Sequence, residues 1–266
     1  MTNRIDRRRM LAGAAALGAA SFIPARAFAQ GKTLVAATFP GTWNEAHRNI
    51  LAPAFRRATG AAVTQSIILG TDQVARLQAA KGSRPPFDVA IFDSPQVLDA
   101  AREGLIVEYP VAKSPRYGEL LPNVGAIAAN LGAYATLWQQ EQIDIAPYNF
   151  NFVQTLKGKD VPVELAIPTS GPVGWATSLH LVANAAEPDL AVKYIDEHLD
   201  AGIQAQMLKP PYDVIPTNSK VKLEGAITLA IAKTQDDLAK IRTIDWDKLN
   251  PQRGALIERF NREIKL

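Results

Sequence analysis

The feature that most constrains the fold is an alternation of short β-branched runs with helical patterns, repeated three times from residue 33 onward. Residues 33–38, 62–69 and 87–92 predict strands, and residues 46–58, 72–80 and 94–104 predict the helices that follow them. Pro53 is predicted to kink or restart the first helix. This order is typical of an α/β layer fold.

The pattern is less regular after residue 109. The sequence predicts helices at 127–140, 150–157, 188–199, 203–208, 221–232 and 251–265, and extended segments at 143–146, 163–167 and 175–182.

The N-terminus predicts an export signal. Four arginines between residues 4 and 9 precede an apolar run at 10–23, and Ala27-Phe28-Ala29 supplies the small-x-small pattern before a cleavage site. The arginine cluster resembles the twin-arginine export motif, with a Sec signal as the alternative. No later stretch has the ~20 apolar residues of a membrane-spanning helix, so we expect residues 1–29 to be removed and a soluble protein to reach the periplasm.

Charge and cysteine content exclude several classes of protein. The whole chain has a formal net charge of +3, but the residues after the predicted leader carry 24 basic and 25 acidic side chains, a net charge of −1. That balance gives no reason to expect a nucleic-acid partner. The absence of cysteine excludes a disulfide scaffold and thiolate metal sites.

Candidate site residues follow the predicted strands. Ligands in open α/β sheets bind beyond the carboxyl ends of strands, which here selects six residues. They are Thr42, Trp43, Gly70, Thr71, Asp93 and Ser94. Two alternatives stay open: Trp43 is a core residue instead of a ligand contact, and Asp93 only favours the N-terminus of the next helix.

Five segments, read in order, resemble the periplasmic solute-binding proteins of ABC importers (extracellular solute-binding family 1), in particular the polyamine-binding branch. They are residues 54–63, 87–94, 145–149, 171–175 and 190–207. The resemblance implies a type II periplasmic-binding-protein fold of two lobes. It adds Tyr148, Asn149, Trp175 and Thr177 to the candidate site, and it implies that the aromatic residues at 43, 148 and 175 line the cleft.

The same resemblance implies a reduced second lobe, because the sequence passes from the loop at 120–122 almost directly to a late helix of the family pattern. We predict a first lobe from residues 30–122 and 183–266 and a second lobe from residues 123–182. Trp246 is predicted to anchor the C-terminal helices to the first lobe. Thr177 stands where polyamine binders commonly have a carboxylate, which disfavours a strongly dicationic ligand.

The predicted function is therefore capture of a small organic solute, polyamine-like or amino-acid-like, for an inner-membrane ABC permease. We expect a monomer that uses no cofactor and no metal, and His47, His180 and His198 show no metal-ligand spacing. An exported enzyme is the first alternative, although the residues after the leader contain none of the common nucleotide, zinc or serine-nucleophile motifs. A degenerate binding protein that docks to a partner without trapping solute is the second.

Overall fold

The computed structural model describes residues 31–119, 150–174 and 177–263. The strands are β1 (Thr33–Thr38), β2 (Ala62–Ile67), β3 (Val89–Asp93), β4 (Ile106–Val107), β5 (Val173–Gly174), β6 (Thr177–Val182) and β7 (Arg242–Thr243). The α-helices are α1 (Thr42–Ala46), α2 (Ala52–Thr59), α3 (Gly70–Ala79), α4 (Ser94–Arg102), α5 (Phe150–Lys157), α6 (Pro188–His198), α7 (Ala201–Met207), α8 (Ala226–Ile231), α9 (Gln235–Ala239), α10 (Trp246–Leu249) and α11 (Arg253–Glu263). Short 3₁₀ turns lie at Val111–Lys113, Tyr117–Glu119 and Asn250–Gln252, and a π-helical turn lies at His47–Leu51.

A five-stranded sheet with the order β2-β1-β3-β6-β4 forms the centre of the fold. β1 pairs with β2 and β3 in parallel, whereas β6 is antiparallel to both β3 and β4. The carboxyl ends of β1, β2 and β3 therefore lie at one edge of the sheet, and the antiparallel β6 begins at that same edge, with Thr177 opposite Asp93.

Apolar residues alternate between the two faces of this sheet, as the two-residue period of a strand requires. Leu34, Val89 and Leu181 belong to the first face, which packs against Phe55 of α2 and Tyr194 of α6. The second face packs against α3 and α4. The buried residues of the core between them are Ala37, Leu77, Phe87, Ala90, Phe92, Ala100, Leu105 and Val182.

A single helical path runs from residue 42 to residue 59 and contains the predicted interruption at Pro53. The π-helical turn His47–Leu51 comes just before Ala52 and Pro53, and the backbone keeps helical dihedral angles at both junctions. A proline ring clashes with the carbonyl four residues earlier, and a wider turn at that point relieves the clash. Gly60 ends the path with a φ of 75°, and its N–H donates to the carbonyl of Arg56 at 2.8 Å.

Two buried polar side chains hold the strands in register. Asp88 accepts hydrogen bonds from the N–H of Val35 at 2.9 Å and from the N–H groups of Ala186 and Glu187, just before α6. Gln73 of α3 accepts from the N–H of Ile91 at 2.9 Å and donates to a carbonyl in the loop after β2. These contacts fix α3 and α6 to the strands β1 and β3.

The C-terminal elements return to the central sheet and its helices. α10 packs against α4, where Asp247 pairs with Arg102 at 3.6 Å and the Asn250 side chain donates to the carbonyl of Pro95 at 3.1 Å. β7 pairs in parallel with β5, and β5 ends just before β6 begins.

Several sequence predictions need correction. Residues 163–167 form no strand, because Pro162 and Pro168 bound the segment and neither can donate a ladder hydrogen bond. The helix predicted at 221–232 is only Ala226–Ile231, with Gly225 before it. Thr177–Val182, predicted in the second lobe, lies between β3 and β4 in the sheet of the predicted first lobe. The segments predicted at 127–140 and 143–146 lie outside the described residues.

Among the described residues, no helix combines the length and the apolar character that crossing a membrane requires.

Candidate functional site

The structure gathers seven of the predicted site residues at the carboxyl edge of the three parallel strands. α1 begins just after β1, α3 just after β2, and α4 directly after β3. This connectivity brings together Thr42, Trp43, Gly70, Thr71, Asp93, Ser94 and Thr177. Tyr148, Asn149 and Trp175 lie outside the described residues.

Asp93 and Thr177 form the polar centre of this edge. The Thr177 hydroxyl donates to Asp93 Oδ1 at 2.7 Å, and strand alternation places both residues on the first face of the sheet. Burial raises the pKa of Asp93 to about 6, against the opposing effect of the Thr177 hydrogen bond. At neutral pH the edge therefore carries a largely ionised carboxylate with little solvation.

Asp93 also lies at the N-terminus of the helix that follows it. Asp93 occupies the N-cap position of α4, ahead of Ser94 and Pro95, but its side chain makes no cap hydrogen bond. The carboxylate is held by the hydroxyl across the strand pair instead.

Three helices begin at this edge, and none has a side-chain cap. The N-cap residues are Gly41 for α1, Leu69 for α3 and Asp93 for α4. The first amides of a helix have no partner within the helix, so they favour an anionic group beyond the helix N-terminus. The edge thus offers a carboxylate for a cation close to amides suited to an anion.

Phe39 and Gln96 also lie at this edge, although neither was among the predicted site residues. Both side chains lie beside Gly70, where a Cβ atom would meet Phe39 Cε1 at 3.6 Å and Gln96 Cδ at 3.7 Å. Gln96 Oε1 is buried and has no hydrogen-bond partner among the described residues. The position of Phe39 directly after β1 was an available signal for it, whereas no sequence signal marked Gln96.

Trp43 is half-buried and contacts two histidines of the first face. Its ring stacks on His198, with centroids 6.5 Å apart and an angle of 15° between the planes, and it meets His47 edge-on at 5.7 Å. The two imidazoles lie edge-to-face at 5.4 Å. Burial lowers the pKa of His198 to about 4 and also lowers that of His47, so both rings are neutral at neutral pH. Here both histidines pack among aromatic side chains, and His47 is fully buried.

A serine and a histidine that the sequence did not connect are paired on β6. Ser178 Oγ lies 2.7 Å from His180 Nε2. Burial lowers the pKa of His180 to about 4, which makes this imidazole a weak base at neutral pH. Strand alternation also directs the pair to the second face, away from Asp93 and Thr177. The pair therefore does not form a serine nucleophile with an effective base.

In the part of the chain that the structure describes, no three histidine, aspartate or glutamate side chains are grouped so that they could hold a metal ion.

Comparisons with known proteins identify the fold. No protein-family model and no curated protein matches the chain. An ABC transporter substrate-binding protein from Bradyrhizobium japonicum has a TM-score of 0.70 and 14% identity, over 88% of this chain and 100% of its own. A GABA receptor has a TM-score of 0.67 and 14% identity, over 86% of this chain and 96% of its own. The periplasmic binding protein AfuA from Actinobacillus pleuropneumoniae, with exogenous fructose-6-phosphate bound, has a TM-score of 0.62 and 16% identity, over 89% and 99%.

These neighbours share their architecture with the present chain, so the predicted α/β fold of periplasmic binding proteins is confirmed.

Proposed function

We propose that the protein is the periplasmic solute-binding component of an ABC importer and that it captures a small organic solute carrying an ammonium group. The observation that carries this proposal is the desolvated Asp93 carboxylate, held by Thr177 at the strand edge where ligands of open α/β sheets bind. An ammonium group bound against that carboxylate would restore the interaction lost with water.

The surroundings favour an amino-acid-like solute over a polyamine. The N-terminus of α3 has no side-chain cap and lies at the same edge as Asp93, so its first amides suit a carboxylate on the other end of the solute. One of the solved structures that this chain resembles is a GABA receptor, and γ-aminobutyrate carries one ammonium and one carboxylate group. Trp43, with Tyr148 and Trp175, would contact the aliphatic part and the ammonium group, at about 0.5 to 2 kcal/mol for each cation–π contact.

We expect the chain to fold as two lobes. The first lobe comprises residues 30–122 and 183–266 together with β6, and the reduced second lobe begins at residue 123. Asn149 of the second lobe would complete the cleft with Thr42, Thr71 and Ser94 of the first. Solute binding would close the lobes and present the closed form to the inner-membrane permease. Export through residues 1–29 and action as a monomer belong to the same proposal.

A thermal-shift screen of residues 30–266 tests this function. Candidate solutes are γ-aminobutyrate, other amino acids, putrescine and spermidine, and we expect an amino-acid-like solute to raise the melting temperature through preferential binding to the folded state. Asp93→Asn should abolish the shift. Asp99→Asn is the matched control, since it makes the same change on the solvent-exposed side of α4 and should leave the shift intact.

A folded protein that none of these solutes stabilises would contradict the proposal and favour the degenerate binding protein. Chemical conversion of a solute would favour the exported enzyme instead.

A further inference from the structure

The aromatic rings packed against Trp43 are the strongest feature that the proposed function does not use. They are His47 of the π-helical turn and His198 of α6, and Tyr194 of α6 packs against His47 in turn. His47 and Tyr194 are fully buried. Both nitrogens of His47, the Tyr194 hydroxyl and His198 Nε2 are enclosed, and none has a hydrogen-bond partner among the described residues.

Burying unpartnered polar atoms is costly, and hydrophobic side chains of similar size would fill the same space without that cost. The geometry of the rings suggests what the histidines provide instead. His198 lies parallel to the indole of Trp43, whereas His47 meets both the indole and the His198 ring edge-on. Such stacked and edge-to-face contacts fix the orientation of an aromatic ring better than aliphatic packing does.

We propose that His47 and His198 are positioning residues that fix the indole of Trp43 at the carboxyl edge of the strands, so that it is already oriented for the solute. This inference rests on the proposed function for the role of Trp43. His47 contributes from one side as the fourth residue after Trp43 on the same helical path, and His198 contributes from the end of α6, 155 positions away in sequence.

The arrangement joins two elements that the chain brings together only on folding. His47 also packs edge-on against Tyr194 at 6.3 Å, and Tyr194 packs edge-on against Phe55 of α2 at 5.3 Å. The rings that touch Trp43 are thus fixed to the core on the first face, while Trp43 itself remains half-exposed. The neutral state of both imidazoles at neutral pH allows the stack to form without burying a charge.

Fluorine NMR of the protein labelled with 5-fluorotryptophan tests this proposal without any solute. The Trp43 resonance is assigned as the signal that disappears in Trp43→Phe. In His198→Ala we expect this resonance to shift toward the position of a solvent-exposed indole and to broaden. In His198→Phe, which keeps a ring for stacking, the resonance should stay close to its wild-type position.

Leu77→Val is the control for a general loss of stability, because Leu77 lies in the core on the second face. It should lower the unfolding midpoint and leave the Trp43 resonance unchanged. If His198→Ala does not fold, His198→Gln gives the same comparison, since glutamine is polar but has no ring. A Trp43 resonance that is equal in the wild type and in His198→Ala, or that moves equally with alanine and with phenylalanine, would overturn the proposal.

Addition of γ-aminobutyrate separates this inference from the function on which it rests. A Trp43 resonance that depends on the ring at position 198 but does not respond to any screened solute would uphold the positioning role and count against the proposed contact with solute.

Discussion

At the scale of single residues, Asp93 is the most informative group in the protein. A carboxylate at a strand end is ordinary, but this one is largely buried, forms its side-chain hydrogen bond with a hydroxyl, and has a pKa raised to about 6. The folded protein therefore holds a proton on Asp93 more tightly than the unfolded chain, whose aspartate titrates near 3.8. The ionised residue costs stability, and a bound ammonium group would recover that cost.

This cost predicts how stability depends on pH. Because the folded pKa is raised, the favourable contribution of Asp93 is complete below about pH 4 and is lost as the pH rises through 6. Relative to Asp93→Asn, which keeps an oxygen to accept from Thr177, the wild type should lose about 1 to 3 kcal/mol of unfolding free energy between pH 4 and pH 7. Urea unfolding of both proteins at each pH measures the difference. A difference that does not change with pH would show that Asp93 is not desolvated in the fold.

The same residues show where sequence patterns stop being informative. Asp93 was selected because it follows a strand, yet its hydrogen bond to Thr177 joins residues 84 positions apart. The contact of Trp43 with His198 spans 155 positions. Periodicity reports which face of an element is apolar, and it carries no information about which distant residue lies across that face.

At the scale of elements, Arg116 is the most highly connected link between the segment after β4 and the end of α6. Arg116 donates to Asp196 at 2.6 Å and to Glu197 at 3.3 Å, and its Nε lies 3.2 Å from Asp200. Ser114 also donates to Asp196. Removing the arginine would leave three neighbouring carboxylates without their shared partner.

Arg116→Ala should therefore lower the unfolding free energy by about 1 to 3 kcal/mol, because the pair with Asp196 is largely shielded from water. Lys113→Ala is the matched control on the same segment. Both side chains of its pair with Asp189 are exposed to solvent, so the loss of unfolding free energy in Lys113→Ala should stay below about 1 kcal/mol. Chemical unfolding of both variants measures the two losses, and equal losses would contradict the special role of Arg116.

Local sequence patterns predicted the elements best where each element is determined by its own residues. The prediction for β1 matches the structure residue for residue, and α5 and α6 agree to within one residue. β4 and β7 contain only two residues each, which is too short for an alternation to be visible. The π-helical turn had only Pro53 as its signal, and residues 163–167 have an apolar pattern but are bounded by prolines.

At the scale of the whole molecule, the sequence predicted an α/β binding-protein fold but not the order of its sheet. Three parallel strands in succession are a local pattern, whereas the insertion of the antiparallel β6 between β3 and β4 depends on a return of the chain from residue 174. That return places Thr177 opposite Asp93 and so completes the polar centre of the candidate site. Asp93 and Thr177 could each be predicted as site residues from the sequence. Their contact depends on the topology of the sheet, so it could not be predicted.

Binding of an ammonium-bearing solute by Asp93 should depend on the charge of this carboxylate, and calorimetric titration at two pH values measures that dependence. The strongest solute from the thermal-shift screen is titrated into the protein at pH 7.5 and at pH 5.0. Protonation of Asp93, with its pKa of about 6, should weaken binding about tenfold at the lower pH. In Asp93→Asn, binding should be weak and equal at both values. An affinity that is the same at pH 7.5 and pH 5.0 in the wild type, or that survives in Asp93→Asn, would show that Asp93 does not bind the solute's ammonium group.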